Sequence, residues 1–221
     1  MNLAHGLFST PWFIAGYVLF GAVLAWTLVG VDYQGFMRQP LRQHLFFGAS
    51  IAVMLLWLIR AGVTPGFGIH LLGITALTLL LGWRLAMAGA VLALIGMAVI
   101  GVEEWITLGL AGVLLVAVPV AVTQTVWRLI DRFLPANLFI YILGCGFFGA
   151  AIATATTRLT VGGLLLATGT ADWPLISEQY LPVALLTLFP EGFINGMIIA
   201  AFAAYRPDWL ATLDIRRYLD R

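Results

Sequence analysis

The chain has 221 residues, of which 62% are hydrophobic and only 10% are charged, and its mean hydropathy is +1.03. A soluble domain usually carries about 25% charged residues, so this chain has too few to cover a water-exposed surface. A net charge of +1 leaves no basic patch for nucleic acid, which excludes that class of partner. The composition therefore predicts an all-α integral membrane protein with lipid as the solvent for most of its surface.

The N-terminal sequence, MNLAHGLFSTPW, has neither the basic segment nor the small-residue cleavage site of a secretory signal peptide. We therefore expect the N-terminus to be retained. Because Asn2 is bulky, we also expect Met1 to stay in place with its α-amine free. The single cysteine, Cys145, lies in an apolar run and is expected to be a small core residue.

Apolar runs along the chain define candidate membrane spans, each needing roughly 20 residues to cross about 30 Å of hydrocarbon. The third and fourth candidates form one run of roughly 50 Å, broken only by Trp83-Arg84, so we divide it at Gly82 as a tight turn. The sequence thus predicts one transmembrane domain, 1–221, that is a seven-helix bundle. Its spans cover about 11–31, 44–58, 68–82, 85–100, 106–129, 137–157 and 181–204.

The arginines predict the orientation of this bundle, because cytoplasmic segments of membrane proteins are enriched in basic residues. An outside N-terminus leaves only Arg60 and Arg158 in outer segments, which favours N-out/C-in and an odd number of spans. The outer segment 159–180 contains VGGLLLATG, too short to span, and is either an extension of the sixth helix or a re-entrant piece. The inner arginines are Arg38, Arg42, Arg84, Arg128, Arg132, Arg206, Arg216, Arg217 and Arg221.

Polar residues within membrane spans are rare, and each is therefore a candidate for function. A lone histidine is more often structural, and we expect His44, beside Arg42, to lie at the inner interface. His5 and His70 fall on the same outer side, where two imidazoles and an α-amine resemble the ligands of a borderline transition metal. The full set of candidates is His5, His70, Glu103, Glu104, Arg158, Glu191 and Asn195.

The acidic candidates have different expected environments. Glu191 follows Pro190 inside the last span, where Pro190 should kink the helix. A carboxylate buried there must be neutral, coordinating, or paired, for instance with Arg158 or with backbone amides. Glu103 and Glu104 are expected to form a solvated outer turn. No GxSxG, HExxH or P-loop motif is present, and we expect that the chain is not an enzyme.

Four short motifs together resemble the CbiM/NikM family, the substrate-binding membrane subunits of energy-coupling-factor importers for cobalt and nickel. The first nine residues resemble the family's MHIPDGFLS, and residues 68–73, GIHLLG, resemble its GxHLLGG. Leu108-Gly109 lies near its LGAN segment. Glu191-Gly192, followed by 206–210, RPDWL, resembles its IEG helix and RPELL exit. The order and spacing of these motifs extend over nearly the whole chain.

The resemblance implies a metal site on the outer side, formed by the terminal amine, a histidine at the second position and the histidine of HLLGG. In this chain the second position is Asn2, His5 stands where the family has aspartate, and the LGAN asparagine has become Ala111. We therefore expect Met1, Asn2, His5 and His70 to be the metal ligands. Glu191 would hold the ligand residues in position without touching the metal, or it would stabilise its own kinked helix.

The resemblance also implies a multi-pass protein of the cell inner membrane whose substrate is nickel or cobalt. Its implied partners are a transmembrane coupling subunit, cytoplasmic ATPase subunits and a small accessory membrane subunit. Because Asn2 and Ala111 depart from the pattern, two alternatives stay open. One is a ligand-free scaffold or assembly subunit of the same fold, and the other is an importer subunit for an organic ligand.

Overall fold

The computed structural model describes residues 8–60 and 70–219, apart from the side chain of Leu219, and no strand occurs in them. The all-α prediction is therefore confirmed. A short 3₁₀ turn, Pro207–Trp209, follows the longest helix. The helices are α1 Thr10–Val29, α2 Tyr33–Met37, α3 Pro40–Leu58, α4 Ile74–Leu81, α5 Trp83–Val99, α6 Trp105–Phe133, α7 Leu138–Ala167, α8 Trp173–Tyr205 and α9 Ile215–Leu219.

Five of these helices, α1, α3, α6, α7 and α8, are long and apolar enough to cross a membrane. The shortest of them, α3, has 19 residues and therefore extends for about 30 Å. Many large apolar side chains on α1, α3 and α8 face outward, as lipid contact requires. The prediction of a multi-pass membrane protein is confirmed. Helix α5 is apolar but has 17 residues, and α4 has only eight, so the count of seven spans stays a prediction.

The junction between α4 and α5 is the tight turn that the sequence predicts. Gly82 adopts φ 78°, a conformation that side chains with a Cβ rarely adopt. The ring of Trp83 packs against Trp26 of α1 with 5.2 Å between centroids. Arg84 Nη1 donates a hydrogen bond to the Thr27 carbonyl at 3.2 Å, which ties the start of α5 to the end of α1.

The segment 159–180 resolves one of the alternatives left open by the sequence. Helix α7 continues to Ala167, the chain turns at Gly169 with φ 69°, and α8 begins at Trp173. The Asp172 carboxylate accepts a hydrogen bond from the Leu175 amide at 3.0 Å and caps the first turn of α8. Residues 159–167 thus extend the sixth predicted span as a helix, as one of the two alternatives expects, and residues 173–180 form the first turns of α8.

Helix α4 lies at the centre of the bundle, where all eight of its residues are buried and it packs against α3, α5, α6, α7 and α8. The carbonyls at the end of a buried helix need partners. The chain after α8 provides them, because Ala211 N donates to Leu80 O at 3.1 Å and Thr212 Oγ1 donates to Leu79 O at 2.9 Å. The C-terminal end of α4 is therefore held by the segment that follows α8.

Small residues bring the long helices close together. Gly192 and Gly196, which the sequence predicts to favour close packing, lie on α8 against Phe147 of α7. Cys145 is 1% exposed in the same region, and the prediction that it is a core residue is confirmed. Helices α1 and α6 also approach closely, with Gly16 packed against the backbone of Leu110.

A groove of about 680 Å³ runs between α3 and α8, and α4 forms its floor. Its walls are almost entirely apolar, and many of the lining residues are small. These small residues are Gly48, Ala49 and Ala52 on α3, Ala76 on α4 and Ala201 on α8.

Candidate metal site

His70 precedes α4 and is the predicted metal ligand that lies within the described residues. The side chain is 3% exposed, and Nδ1 lies 3.1 Å from the carbonyl oxygen of Leu71. In the neutral tautomer that donates from Nδ1, Nε2 keeps the lone pair that a metal ion needs. The Trp57 ring of α3 lies beside the imidazole at 5.6 Å between centroids, and Trp57 Nε1 donates to Leu72 O at 2.9 Å.

Residues 70–73 are not helical, and all but the half-buried Leu71 are buried, so their backbone groups need partners from elsewhere in the chain. Glu191 of α8 supplies two of them. Its Oε2 accepts from the Leu72 amide at 2.6 Å, and its Oε1 accepts from the Gly73 amide at 2.7 Å. Glu191 is 2% exposed, and no ion pair between Glu191 and Arg158 occurs among the described residues. Of the pairings considered from the sequence, the backbone amides are the one found.

Asn195, one turn after Glu191 on α8, extends this contact into α4. Its Oδ1 accepts a hydrogen bond from the Ala76 amide at 2.7 Å. Its Nδ2 donates to Glu191 Oε1 and to the Glu191 carbonyl, each at 2.8 Å. The first amides of a helix have no intrahelical acceptor, so α8 side chains perform the capping that α4 lacks locally.

Arg158 of α7 reaches the site from another side. Its Nη2 donates to the His70 carbonyl at 3.0 Å, and the Tyr180 hydroxyl donates to the Arg158 carbonyl at 2.9 Å. The side chain is 2% exposed, which corrects the assignment of Arg158 to an outer segment between spans: it lies inside the extended α7. Its Nε and Nη1, and the hydroxyls of Thr154 and Thr157, are buried without hydrogen-bond partners.

The prediction that Glu103 belongs to a solvated turn is wrong. Glu103 is 5% exposed, and its Oε1 accepts from Arg60 Nη2 at 2.8 Å. The reason is that the chain folds back after α5, where Glu103 N donates to the Met97 carbonyl at 3.1 Å and directs the side chain inward. Glu104 is exposed, as predicted.

The other predicted ligands, Met1, Asn2 and His5, lie outside the described residues. Across 8–60 and 70–219, no group of three or more His, Cys, Asp or Glu is placed to hold a metal ion. His44 is exposed on α3, roughly 20 Å before Trp57 along the helix axis, and does not belong to the environment of His70.

Two residues of this environment, Trp57 and Tyr180, are absent from the set of candidates chosen from the sequence. Each sits near an end of an apolar helix, where aromatic residues commonly mark the membrane interface. Their hydrogen bonds instead go to Leu72 and Arg158, which are 15 and 22 positions away in the chain. No local signal in the sequence separates these two residues from the other interfacial aromatic residues.

Comparisons with known proteins agree with this fold. A family profile described as the cobalt uptake substrate-specific transmembrane region, CbiM, matches residues 2–209. The crystal structure of a truncated transition metal transporter superposes with a TM-score of 0.69 at 16% identity, covering 94% of this chain and 99% of that one. The crystal structure of a transition metal transporter gives 0.67 at 16% identity, covering 94% and 93%. No curated protein matches the sequence of this chain.

Proposed function

Because the chain belongs to the CbiM family of cobalt-uptake transmembrane proteins, we propose that it captures a divalent transition metal for an energy-coupling-factor importer. The observation that carries this proposal is the environment of His70. The imidazole is buried, its Nδ1 faces the Leu71 carbonyl, and Nε2 can therefore bind a metal ion such as nickel or cobalt. The protein acts as a transport subunit and catalyses no reaction of its own.

The proposed ligands are the Met1 amine, the Asn2 backbone, His5 and His70. An α-amine, a deprotonated amide and imidazoles make a nitrogen-rich set that suits nickel and cobalt better than magnesium or calcium. His70 is the ligand fixed by the bundle, and the first residues close the site. Because Asn2 cannot supply an imidazole, His5 provides that donor in this chain.

The proposed topology is seven spans with the N-terminus outside and the C-terminus inside. It is supported by the unequal distribution of charge between the two ends of the bundle. The end near His70 carries the Arg60–Glu103 ion pair, whereas the opposite end carries most of the arginines, including Arg84 and Arg217. The metal therefore binds from the outer side.

Metal analysis of the detergent-purified protein tests this function. We expect one nickel or cobalt ion per chain by elemental mass spectrometry when the native N-terminus is intact. A sample with one residue added before Met1 should lose the metal, because the α-amine is displaced. A His5→Ala, His70→Ala variant should lose it as well, whereas His44→Ala, on the exposed face of α3, should keep it.

The opposite results would favour the other readings. No metal in any sample, even after incubation with nickel, cobalt, zinc and copper, would contradict the importer for metal ions. It would favour a ligand-free scaffold subunit, for which Asn2 and the fully buried Ala111 are the motivating departures from the family pattern. A bound organic compound found by mass spectrometry would favour an importer subunit for an organic ligand.

The proposed partners are a transmembrane coupling subunit, cytoplasmic ATPase subunits and a small accessory membrane subunit.

A further inference from the structure

We propose that Arg158 is a positioning residue that fixes the imidazole of His70, acting together with Glu191 on the backbone of residues 70–73. Arg158 Nη2 bonds to the His70 carbonyl at 3.0 Å, and Glu191 bonds to the amides of Leu72 and Gly73. The two side chains come from different helices, α7 and α8, and hold the same short segment from its two ends. The effect on metal binding rests on the proposed function, but the effect on the imidazole does not.

The peptide group between His70 and Leu71 is the link between Arg158 and the imidazole. Arg158 holds the carbonyl of that peptide, and the His70 Nδ1 folds over it to the next carbonyl, that of Leu71, at 3.1 Å. A peptide is planar, so fixing one carbonyl limits the rotation of the residues on both sides. The acceptor, Leu71 O, belongs to the next peptide, whose Leu72 amide donates to Glu191, so Arg158 and Glu191 hold the two consecutive peptides that position the imidazole. Removing the guanidinium would release the first of these peptides and disturb the Nδ1 contact that selects the tautomer.

The hydrogen bonds of Arg158 indicate that the role of the guanidinium is to hold the His70 carbonyl. A buried N–H group without an acceptor costs stability, and Arg158 has two such groups, Nε and Nη1. An arginine stays charged when buried, which adds a further cost unless a carboxylate is near. Among the described residues, the hydrogen bond that the guanidinium donates is the one to His70 O. The carboxylate that bonds to the same segment is that of Glu191.

The metal-free protein provides the first test. The chain has three histidines, so ¹⁵N-histidine labelling gives few NMR signals, and the His70→Asn variant assigns that of His70. We expect His70 to show a protonated Nδ1 and an unprotonated Nε2 in the wild type and in Arg158→Lys. In Arg158→Met, the His70 signal should shift to a mixture of tautomers, while that of His44 stays unchanged.

The matched control is Arg84→Met. Arg84 also donates from its guanidinium to a backbone carbonyl of another helix, Thr27 O at 3.2 Å, but at the opposite end of the bundle. It should leave the His70 signal unchanged. Folding of Arg158→Met is checked by protection of the buried Cys145 thiol, and Arg158→Gln, which lacks the guanidinium but keeps a polar side chain, carries the same prediction for the tautomer.

The second test is the dissociation constant for nickel, measured on the same variants. Groups that orient a metal ligand through hydrogen bonds typically contribute about 10–100-fold to metal affinity. We therefore expect a loss of that size in Arg158→Met and little change in Arg84→Met. An unchanged His70 signal in folded Arg158→Met and Arg158→Gln would overturn the proposal. If the wild type binds no nickel while the Arg158 variants still alter the His70 tautomer, the proposed function fails and the positioning role stands.

Discussion

Asn195 joins the carboxylate of Glu191 to the first turn of α4, because its amide donates to Glu191 Oε1 at 2.8 Å and accepts from the Ala76 amide at 2.7 Å. One polar side chain of α8 thus orients a second: Asn195 accepts from an amide of the first turn of α4, which has no intrahelical acceptor, and Glu191 accepts from the two amides just before that helix. The backbone around His70 is consequently held by side chains of α8, a helix that is distant from His70 in the sequence.

Asn195→Ala should destabilise the protein by about 1–3 kcal/mol, because it leaves the buried Ala76 amide without an acceptor. Labelling of Cys145 by a thiol-reactive dye during heating in detergent reports unfolding, since this thiol is buried in the native protein. Asn137→Ala is a matched control, because Asn137 caps α7 at an exposed position where water can replace it. A smaller effect of Asn195→Ala than of Asn137→Ala would contradict the role assigned to Asn195.

Glu191→Gln should be more damaging, by about 3 kcal/mol or more, because the buried carboxylate accepts two backbone hydrogen bonds and bonds to a charged group contribute about 1.5–3 kcal/mol each. In addition, the new NH₂ group would face one of the amides of Leu72 and Gly73, which are donors themselves. The same dye assay measures the loss. Glu104→Gln, at an exposed position, should change stability by less than about 0.5 kcal/mol. Equal stability of the two variants would show that Glu191 does not hold the segment before α4.

Metal affinity should fall as the pH decreases, because protons compete with the metal for neutral imidazoles. Protons also compete for the proposed α-amine and amide ligands, so each ligand that is protonated should reduce the affinity by up to about tenfold per pH unit. Titration of the purified protein with nickel between pH 7.5 and 5.5 measures the slope. His44→Gln should leave the slope unchanged, and a pH-independent affinity in the wild type would contradict the proposed set of nitrogen ligands.

The sequence predicts the helical segments well, because apolar runs of membrane length have few alternatives in lipid. It fails at the start of α4, where the apolar residues before Ile74 are consistent with a full helix over 68–82. Residues 70–73 are nevertheless not helical, because Glu191, 118 and 119 positions away, satisfies their amides. A local pattern cannot contain that information.

The candidate site shows the same division between local and distant information. His70 and Glu191 could be selected from the sequence because polar residues are rare in membrane spans. The bond from Arg158 to the His70 carbonyl joins residues 88 positions apart and follows from how α7 packs beside α4. The burial of Glu103 is likewise set by the fold, since its partner Arg60 lies at the end of another helix.

The close approach of α1 and α6 gives a prediction that depends on backbone contact alone. A Cβ on Gly16 would lie 2.7 Å from the Leu110 backbone nitrogen, and a main-chain atom cannot rotate away as a side chain can. Gly16→Ala should therefore force the helices apart and destabilise the protein by about 1–3 kcal/mol. Gly21→Ala, on the same helix, would place its Cβ in open space. That variant should be neutral or stabilised by about 0.5–1 kcal/mol, because alanine favours a helix more than glycine does. Thermal unfolding of both variants by Cys145 labelling makes the comparison, and equal stabilities would show that α1 and α6 are not in backbone contact at Gly16.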